Sequence, residues 1–189
     1  MIITISGSAG SGKSTIAQKL AEELKWPRYY IGGIRREAAK KRGLTLAEYN
    51  KLGETDATTD FEVDEYQKEL GQKKDNFIIE GRTSWYFIPQ SLKIYLAVSL
   101  EEGAKRIFSS LQIENERNED KNLGTLGSVA ESIKKRQESD NKRYGQYYNI
   151  DVNDPKHYDF YLDTSSLNRE EVFALVLKFV KERLDNEKK

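Results

Sequence analysis

The stretch Ile2-Ile3-Thr4-Ile5 leads into Gly7-Ser8-Ala9-Gly10-Ser11-Gly12-Lys13-Ser14 and then into a helix-forming segment that ends near Leu24. This order predicts a buried strand, a glycine-rich turn and a helix. The turn matches the pattern G-x-x-x-x-G-K-[ST] of the P-loop, in which backbone N–H groups surround a polyphosphate at a helix N-terminus. The amino-terminal segment therefore predicts a nucleotide-binding unit at one end of a sheet.

The P-loop motif assigns candidate roles to individual side chains. Lys13 is placed to reach the β- and γ-phosphates of ATP, and the hydroxyl group of Ser14 is placed to ligate Mg²⁺. The expected nucleotide-binding residues are Gly7, Ser8, Ala9, Gly10, Ser11, Gly12, Lys13, Ser14 and Thr15. The alternative is a glycine-rich turn that binds nothing. This interpretation is the weaker one, because the turn lies between a predicted strand and a predicted helix.

The composition favours a single domain, residues 1–189, with small-molecule partners. Lys and Arg total 31 and so do Asp and Glu, so that no basic field indicates a nucleic acid polymer or a membrane surface. No segment approaches the roughly 20 apolar residues that span a bilayer, and the amino terminus lacks the pattern of a signal peptide. The chain has no cysteine. We expect a cytoplasmic protein.

Apolar and amphipathic segments alternate along the rest of the chain. Further strands are predicted at residues 29–31, 76–82, 92–98 and 160–163, with the third of these less buried. Later helices are predicted at residues 101–111, 128–148 and 169–184, followed by a frayed tail. Strands joined by helical crossovers imply an α/β fold: a five-stranded parallel sheet with helices on both faces and ligands at the carboxyl ends of the strands.

Two segments interrupt this alternation. Successive helices are predicted at residues 34–41, 45–52 and 60–70, and they indicate a substrate-binding insertion at about residues 32–73. The second begins with Thr45 and Glu48 in the capping-box pattern, and the third carries an apolar stripe of Phe61, Val63, Tyr66 and Leu70. The segment at about residues 111–127 is polar and charged, which is typical of a loop. Phosphoryl transfer needs a site that excludes water, so this loop is the candidate lid, with Arg117 as its candidate catalytic residue and Arg106 as a second candidate at its edge. The alternative for Arg117 is a solvated loop charge.

Charged residues follow the predicted strands and occupy one helix. Glu80 ends an apolar strand, where P-loop proteins place the acid that holds Mg²⁺; the alternative is an ordinary polar residue at a strand end. Arginines stand where a second anionic ligand would bind: Arg35, Arg36, Arg82, Arg136 and Arg143. Arg136, Asp140 and Arg143 share one helix face by their spacing. A solvent-exposed charge ladder explains that spacing equally well.

These motifs resemble those of P-loop nucleoside monophosphate kinases, and within them the compact cytidylate kinases common in archaea. The resemblance covers nearly the whole chain. Besides the P-loop, it rests on Gly32-x-x-x-Arg36-Glu37, Glu80-Gly81-Arg82, Arg136-x-x-x-Asp140-x-x-Arg143-Tyr144 and Ile150-Asp151-x-x-Asp154-Pro155-x-x-Tyr158-Asp159. The last two segments, in this order, are the most specific.

The resemblance implies a P-loop NTPase fold with a helical insertion that binds the nucleoside monophosphate and a lid. It implies a monomer that transfers the ATP γ-phosphoryl group to CMP or dCMP. Lys13 and Ser14 would bind ATP and Mg²⁺. It also implies an acceptor-phosphate site formed by Arg36, Arg82, Arg136 and Arg143, with Asp140 bonded to the ribose or to an arginine. Of these residues, Lys13, Arg136 and Arg143 would act in catalysis.

Two other interpretations remain open. One is a P-loop kinase of a different acceptor, such as an adenylate-type or shikimate-type enzyme. The other is an ATP-dependent switch with little turnover, which the arginines of the acceptor region disfavour because a switch does not need to neutralise two adjoining phosphate chains.

Overall fold

The computed structural model describes residues 1–112 and 123–187, and every structural statement below refers to these residues. They form a five-stranded, entirely parallel sheet in the order β2-β3-β1-β4-β5. The strands are β1 (Ile2–Gly7), β2 (Arg28–Tyr30), β3 (Phe77–Glu80), β4 (Leu92–Ala97) and β5 (Phe160–Asp163). The predicted α/β fold class and strand number are confirmed.

Helices cover both faces of the sheet. On one face, Ile3 and Ile5 pack with helices α1 (Lys13–Leu24) and α8 (Arg169–Glu187). On the opposite face, Phe77 and Ile79 pack with the segment between β2 and β3. Alternating side chains of fully buried parallel strands thus build two cores, as expected of a sheet whose two faces are both covered.

Three successive helices lie between β2 and β3, where the insertion was expected: α2 (Ile31–Lys41), α3 (Leu46–Gly53) and α4 (Thr58–Lys73). Thr45 and Glu48 form the predicted capping box at the start of α3. Helix α2 begins at Ile31, so this residue is not the end of a strand as predicted.

The buried face of α4 differs from the prediction. An apolar stripe that included Phe61 and Tyr66 was expected, but Phe61 is 51% exposed and Tyr66 is also exposed. Apolar and polar side chains share the buried face instead, and the polar ones are Thr59, Asp60, Asp64 and Gln67.

The remaining helices are α5 (Ser84–Phe87), α6 (Leu100–Leu111) and α7 (Leu126–Tyr148), with a short 3-10 helix at Pro155–His157. Strand β4 is less buried than β1 and β3, as predicted, since only Ile94, Tyr95 and Leu96 are buried along it. It nevertheless lies inside the sheet, between β1 and β5. The last helix continues to Glu187, beyond the predicted start of a frayed tail. Most of the candidate lid lies outside the described residues. Within the described ranges, no helix is both long enough and apolar enough to cross a membrane.

Candidate active site

The P-loop lies at the carboxyl end of β1 and at the N-terminus of α1. Gly10 and Gly12 have φ angles of 81° and 85°, which side-chain-bearing residues rarely adopt. At Gly10 a Cβ atom would lie 2.4 Å from the carbonyl oxygen of Gly103 in α6. The backbone therefore forms a tight turn packed closely on α6, a type of loop whose N–H groups can bind an anion at a helix N-terminus.

The Lys13 side chain bends back over this loop. Its Nζ atom donates to the carbonyl oxygens of Gly7, at 2.8 Å, and Ser8, at 2.6 Å. The ammonium group is thus held beside the space that the loop encloses.

Ser14 and Glu80 meet at the junction of α1 and β3. Ser14 Oγ donates to Oε2 of Glu80 at 2.6 Å, and Arg28 Nε donates to Oε1 at 2.7 Å. The Glu80 side chain is buried, so the two hydrogen bonds fix both carboxylate oxygens. A hydroxyl and a carboxylate beside a phosphate cradle are the oxygen donors that Mg²⁺ prefers, so this pair fits the predicted metal site.

A cavity of about 820 Å³ extends from the P-loop toward the three inserted helices. It is lined by Ala9, Gly10, Ser11, Gly12, Lys13, Ser14 and Thr15 of the predicted nucleotide set, and by Glu80. Gly7 and Ser8 line a smaller neighbouring cavity of about 110 Å³, shared with Ala9. Next to the P-loop, the large cavity continues between α6 and the start of α8, where Arg106 and Asn168 lie on its wall.

The opposite end of the cavity collects the predicted acceptor arginines. Arg36 from α2, Arg82 from the turn after β3 and Arg136 from α7 line it, together with Asp140. These side chains come from separate segments of the chain, and the fold brings them to one cavity at the carboxyl edge of the sheet. A guanidinium group suits paired oxygens of a phosphate group, so the set can hold an anionic ligand.

Arg143 is placed differently from the other arginines. Its side chain is 0% exposed, and it is not among the described residues that line the cavity. Its Nη1 atom donates to Asp60 and its Nη2 atom donates to Asp140, both at 2.5 Å. Helical spacing alone groups Arg143 with Arg136, but the structure directs its guanidinium into a buried ionic network.

That network runs through the insertion. Arg35 Nη1 donates to Oδ1 of Asp60 at 2.6 Å, and Arg82 Nε lies 2.7 Å from Oδ2 of Asp140. Burial raises the pKa of Asp140, but the charges of Arg82, Arg143 and Arg136 outweigh burial and hold that pKa below its usual value. The order along the network is Arg35, Asp60, Arg143, Asp140 and Arg82.

Sequence reasoning missed several residues of the cavity wall, namely Asn50, Asp60, Asp64, Gln67 and Tyr144. Asp60, Asp64 and Gln67 have the spacing i, i+4 and i+7, which places them on one face of α4. This spacing was the available signal, but apolar residues of the same helix concealed it.

The two candidates of the lid region have different outcomes. Arg106 donates to Glu102 at 2.8 Å and to the carbonyl oxygen of Thr164 at 2.8 Å, which ties it to the donor end of the cavity. Arg117 lies outside the described residues.

Comparison with known proteins identifies the family of the chain. The chain is 34% identical over 96% of its length to a cytidylate kinase of Methanobrevibacter smithii and covers 99% of that protein. It is 37% identical over 93% of its length to a cytidylate kinase of Pyrococcus furiosus and covers 86% of it. A shikimate kinase of Bacteroides thetaiotaomicron shares the fold, with a TM-score of 0.62, 15% identity and 98% coverage of both chains. A sequence model of the cytidylate kinase-like family matches residues 2–166. The chain therefore belongs to the cytidylate kinase-like family.

Proposed function

We propose that this protein transfers the γ-phosphoryl group of ATP to the phosphate of CMP or dCMP, which yields the diphosphate and ADP. The observation that carries the proposal is the single cavity joining the P-loop to Arg36, Arg82 and Arg136. The cytidylate kinases among its relatives support cytidine as the acceptor nucleoside.

The donor half of the reaction uses the P-loop. Its backbone N–H groups and the N-terminus of α1 bind the ATP phosphates, and Lys13 leaves the carbonyl oxygens of Gly7 and Ser8 to reach the β- and γ-phosphates. Ser14 and Glu80 would hold Mg²⁺ together with phosphate oxygens. When bound, the ion would neutralise phosphate charge and orient the phosphate groups of ATP for in-line displacement. Arg28 keeps Glu80 directed at this point.

The acceptor half needs positioning rather than a general base. The second pKa of a phosphate monoester is about 6, so the acceptor is a nucleophilic dianion at neutral pH. One of its oxygens attacks the γ-phosphorus atom, and the bond from that atom to the β,γ-bridging oxygen breaks as ADP leaves. Arg36, Arg82 and Arg136 offset the repulsion between the two anions and align them.

Arg143 acts in this proposal as a positioning residue. Through Asp60 and Asp140 it orients Arg35 and Arg82, which line the cavity. Arg117 stays a proposed catalytic residue of the lid at residues 111–127, with the insertion at residues 32–73 as the acceptor-binding part of one domain. We also propose that the enzyme is cytoplasmic and monomeric.

The test is ADP production with Mg·ATP and a panel of acceptors: CMP, dCMP, UMP, AMP, GMP and shikimate. We expect CMP or dCMP to give the highest kcat/KM. Arg136→Ala should lower that value by roughly 100-fold or more, because it removes a charge that faces the transferred phosphoryl group. Lys135→Ala is the matched control, since Lys135 lies on the same helix with an exposed side chain and should leave the rate unchanged.

Other outcomes distinguish the alternatives. A different preferred acceptor would retain the kinase chemistry and refute cytidine as the acceptor nucleoside. ATP hydrolysis that no acceptor stimulates would refute the kinase and favour the switch.

A further inference from the structure

Tyr30 lies at the end of β2, immediately before α2, and it lines the large cavity. It is 38% exposed, which is unusual for an aromatic residue at the end of a strand inside this fold. The Nη1 atom of Arg36 donates to the hydroxyl group of Tyr30 and, at 3.2 Å, to the carbonyl oxygen of Gly32. The hydroxyl group therefore contacts a guanidinium group that belongs to the predicted phosphate site.

Two glycines in the first turn of α2 leave room for the ring of Tyr30. A Cβ atom at Gly32 would lie 2.8 Å from Cε2 of this ring, and a Cβ atom at Gly33 would lie 2.7 Å from Cδ1. Both distances are far shorter than the 3.5–4.0 Å at which two carbon atoms are in contact. Glycine is unfavourable in a helix, but here it allows the ring to pack directly on the helix backbone.

A second guanidinium group, that of Arg28, also lies over this ring. The Cζ atoms of Arg28 and Arg36 are 5.6 Å and 5.8 Å from the ring centroid, within the range of cation–π interactions. Arg28 Nε donates to Oε1 of Glu80 at 2.7 Å, and Glu80 is 2% exposed. The ring is thus held by a side chain that is itself bound to a buried carboxylate of the sheet.

These contacts make the hydroxyl group of Tyr30 a fixed point for the side chain of Arg36. A long arginine side chain loses rotamer freedom when it binds a ligand, and this loss weakens binding. A hydrogen bond that already holds the guanidinium group reduces the loss. The remaining N–H groups can then meet phosphate oxygens in pairs.

We propose that Tyr30 is a positioning residue that fixes the guanidinium group of Arg36 for the acceptor phosphate. This inference rests on the proposed function, because it concerns the acceptor end of the same phosphoryl-transfer site. Tyr30 acts through Arg36 and does not touch the reacting atoms. Its effect on the rate should therefore depend on the presence of Arg36.

The experiment is a double-mutant cycle of Tyr30→Phe and Arg36→Ala, with kcat/KM for CMP as the measured quantity. Tyr30→Phe keeps the ring and removes its hydroxyl group. We expect kcat/KM to fall by about 10-fold, the lower end of what a hydrogen bond to a charged group contributes, while the KM for ATP stays unchanged. In the Arg36→Ala background the same substitution should change kcat/KM by less than about 2-fold.

Gly33→Ala tests the position of the ring independently. Gly33 is not among the described residues that line the cavity, so its new methyl group would act on the site by displacing the ring of Tyr30. We expect kcat/KM for CMP to fall although alanine favours a helix more than glycine does. An unchanged value would show that the position of the ring does not matter for the reaction.

Tyr29→Phe is the matched control on the same strand. The hydroxyl group of Tyr29 accepts from Nζ of Lys74 at 2.9 Å, and its ring packs on Phe77. Its removal should leave kcat/KM within about 2-fold of the original value.

The inference is overturned if Tyr30→Phe leaves kcat/KM unchanged, or if it causes the same loss with and without Arg36. Equal losses would mean that Tyr30 acts independently of Arg36. An unmodified enzyme that phosphorylates no nucleotide would instead overturn the proposed function.

Discussion

At the scale of single residues, the carboxyl group of Asp64 has an unusual environment. Burial raises its pKa to about 7, and the negative charge of Asp60 acts in the same direction. The hydrogen bond from Tyr148 and the charges of Arg35 and Lys68 oppose this rise without cancelling it. The folded protein therefore holds a proton on Asp64 at pH values where the unfolded chain has lost it.

This difference predicts how stability depends on pH. Between about pH 4 and pH 7 the folded state binds more protons at Asp64 than the unfolded state, so the free energy of unfolding should fall as the pH rises. Asp64→Asn removes the titration. The free energy of unfolding of this variant, relative to that of the unmodified protein, should rise by roughly 2–4 kcal/mol between pH 4 and pH 8. Urea denaturation at the two pH values measures this change.

Both proteins share the other carboxyl groups, so the contribution of those groups to the free energy of unfolding cancels when the two proteins are compared at the same pH. A stability difference between variant and unmodified protein that is the same at both pH values would show that Asp64 titrates normally in the folded state.

The sequence predicts single residues well only where a motif fixes the backbone. The P-loop residues and Glu80 lie as expected because a strand, a turn and a helix leave their positions little freedom. Arg143 shows the limit. Helical spacing identifies its face of α7, but only the packing of α4 against that face shows that Asp60 and Asp140 take its two terminal nitrogens.

At the scale of secondary-structure elements, helix α7 holds the insertion in place. On its exposed edge, the hydroxyl group of Tyr147 donates to the carbonyl oxygen of Gly53 at 2.7 Å, and Lys142 pairs with Glu54 at 2.8 Å. On its buried face, Arg143 pairs with Asp60 of α4, which also pairs with Arg35 of α2. The buried contacts join three helices through one carboxylate.

Asp60→Asn should therefore be strongly destabilising. The variant leaves two buried arginines facing a neutral amide, and losing one partner of a buried ion pair costs about 3–5 kcal/mol. Glu131→Gln is the control, because it removes the carboxylate of an ion pair with Lys135 on α7 in which both side chains are exposed. Its loss should stay below about 1 kcal/mol, since an exposed ion pair contributes little to stability.

Urea denaturation of both variants at one pH measures the two losses. Equal losses would mean that the buried network contributes no more to stability than a surface ion pair does.

The elements themselves follow from local sequence patterns more reliably than their burial does. Capping residues fix where helices begin, as Thr45 does for α3. Asn168 does the same for α8, because its Oδ1 atom accepts from the N–H groups of Glu170 and Glu171. The position of β4 inside the sheet was not predictable from its mixed polarity. Strand order depends on crossovers between distant segments, and the residues of one strand do not encode it.

At the scale of the whole molecule, the strand order brings the P-loop and the predicted acceptor residues to the same cavity. Strand β1 lies in the centre of the sheet, with β3 and β4 on either side, so that the P-loop, Glu80 and Arg82 converge at one edge. Helices α6 and α8 close the donor end, and the insertion closes the acceptor end. Two substrates bound at these ends would meet through their phosphates.

This continuity predicts tight binding of a compound that joins adenosine and cytidine through one phosphate chain. Both halves would bind at once, and such linkage commonly raises affinity by about 10²-fold to 10⁴-fold over either part. We expect calorimetry to give a Kd at least about 100-fold below that of CMP. At a concentration 100 times its Kd, the compound should add about 2.7 kcal/mol to stability, which corresponds to roughly 5–10 °C in Tm. An adenosine polyphosphate of equal phosphate number but without cytidine is the control. Equal affinities for the two compounds would show that the acceptor end does not bind the cytidine half while the P-loop holds the adenosine half. The cavity would then not hold two substrates at once.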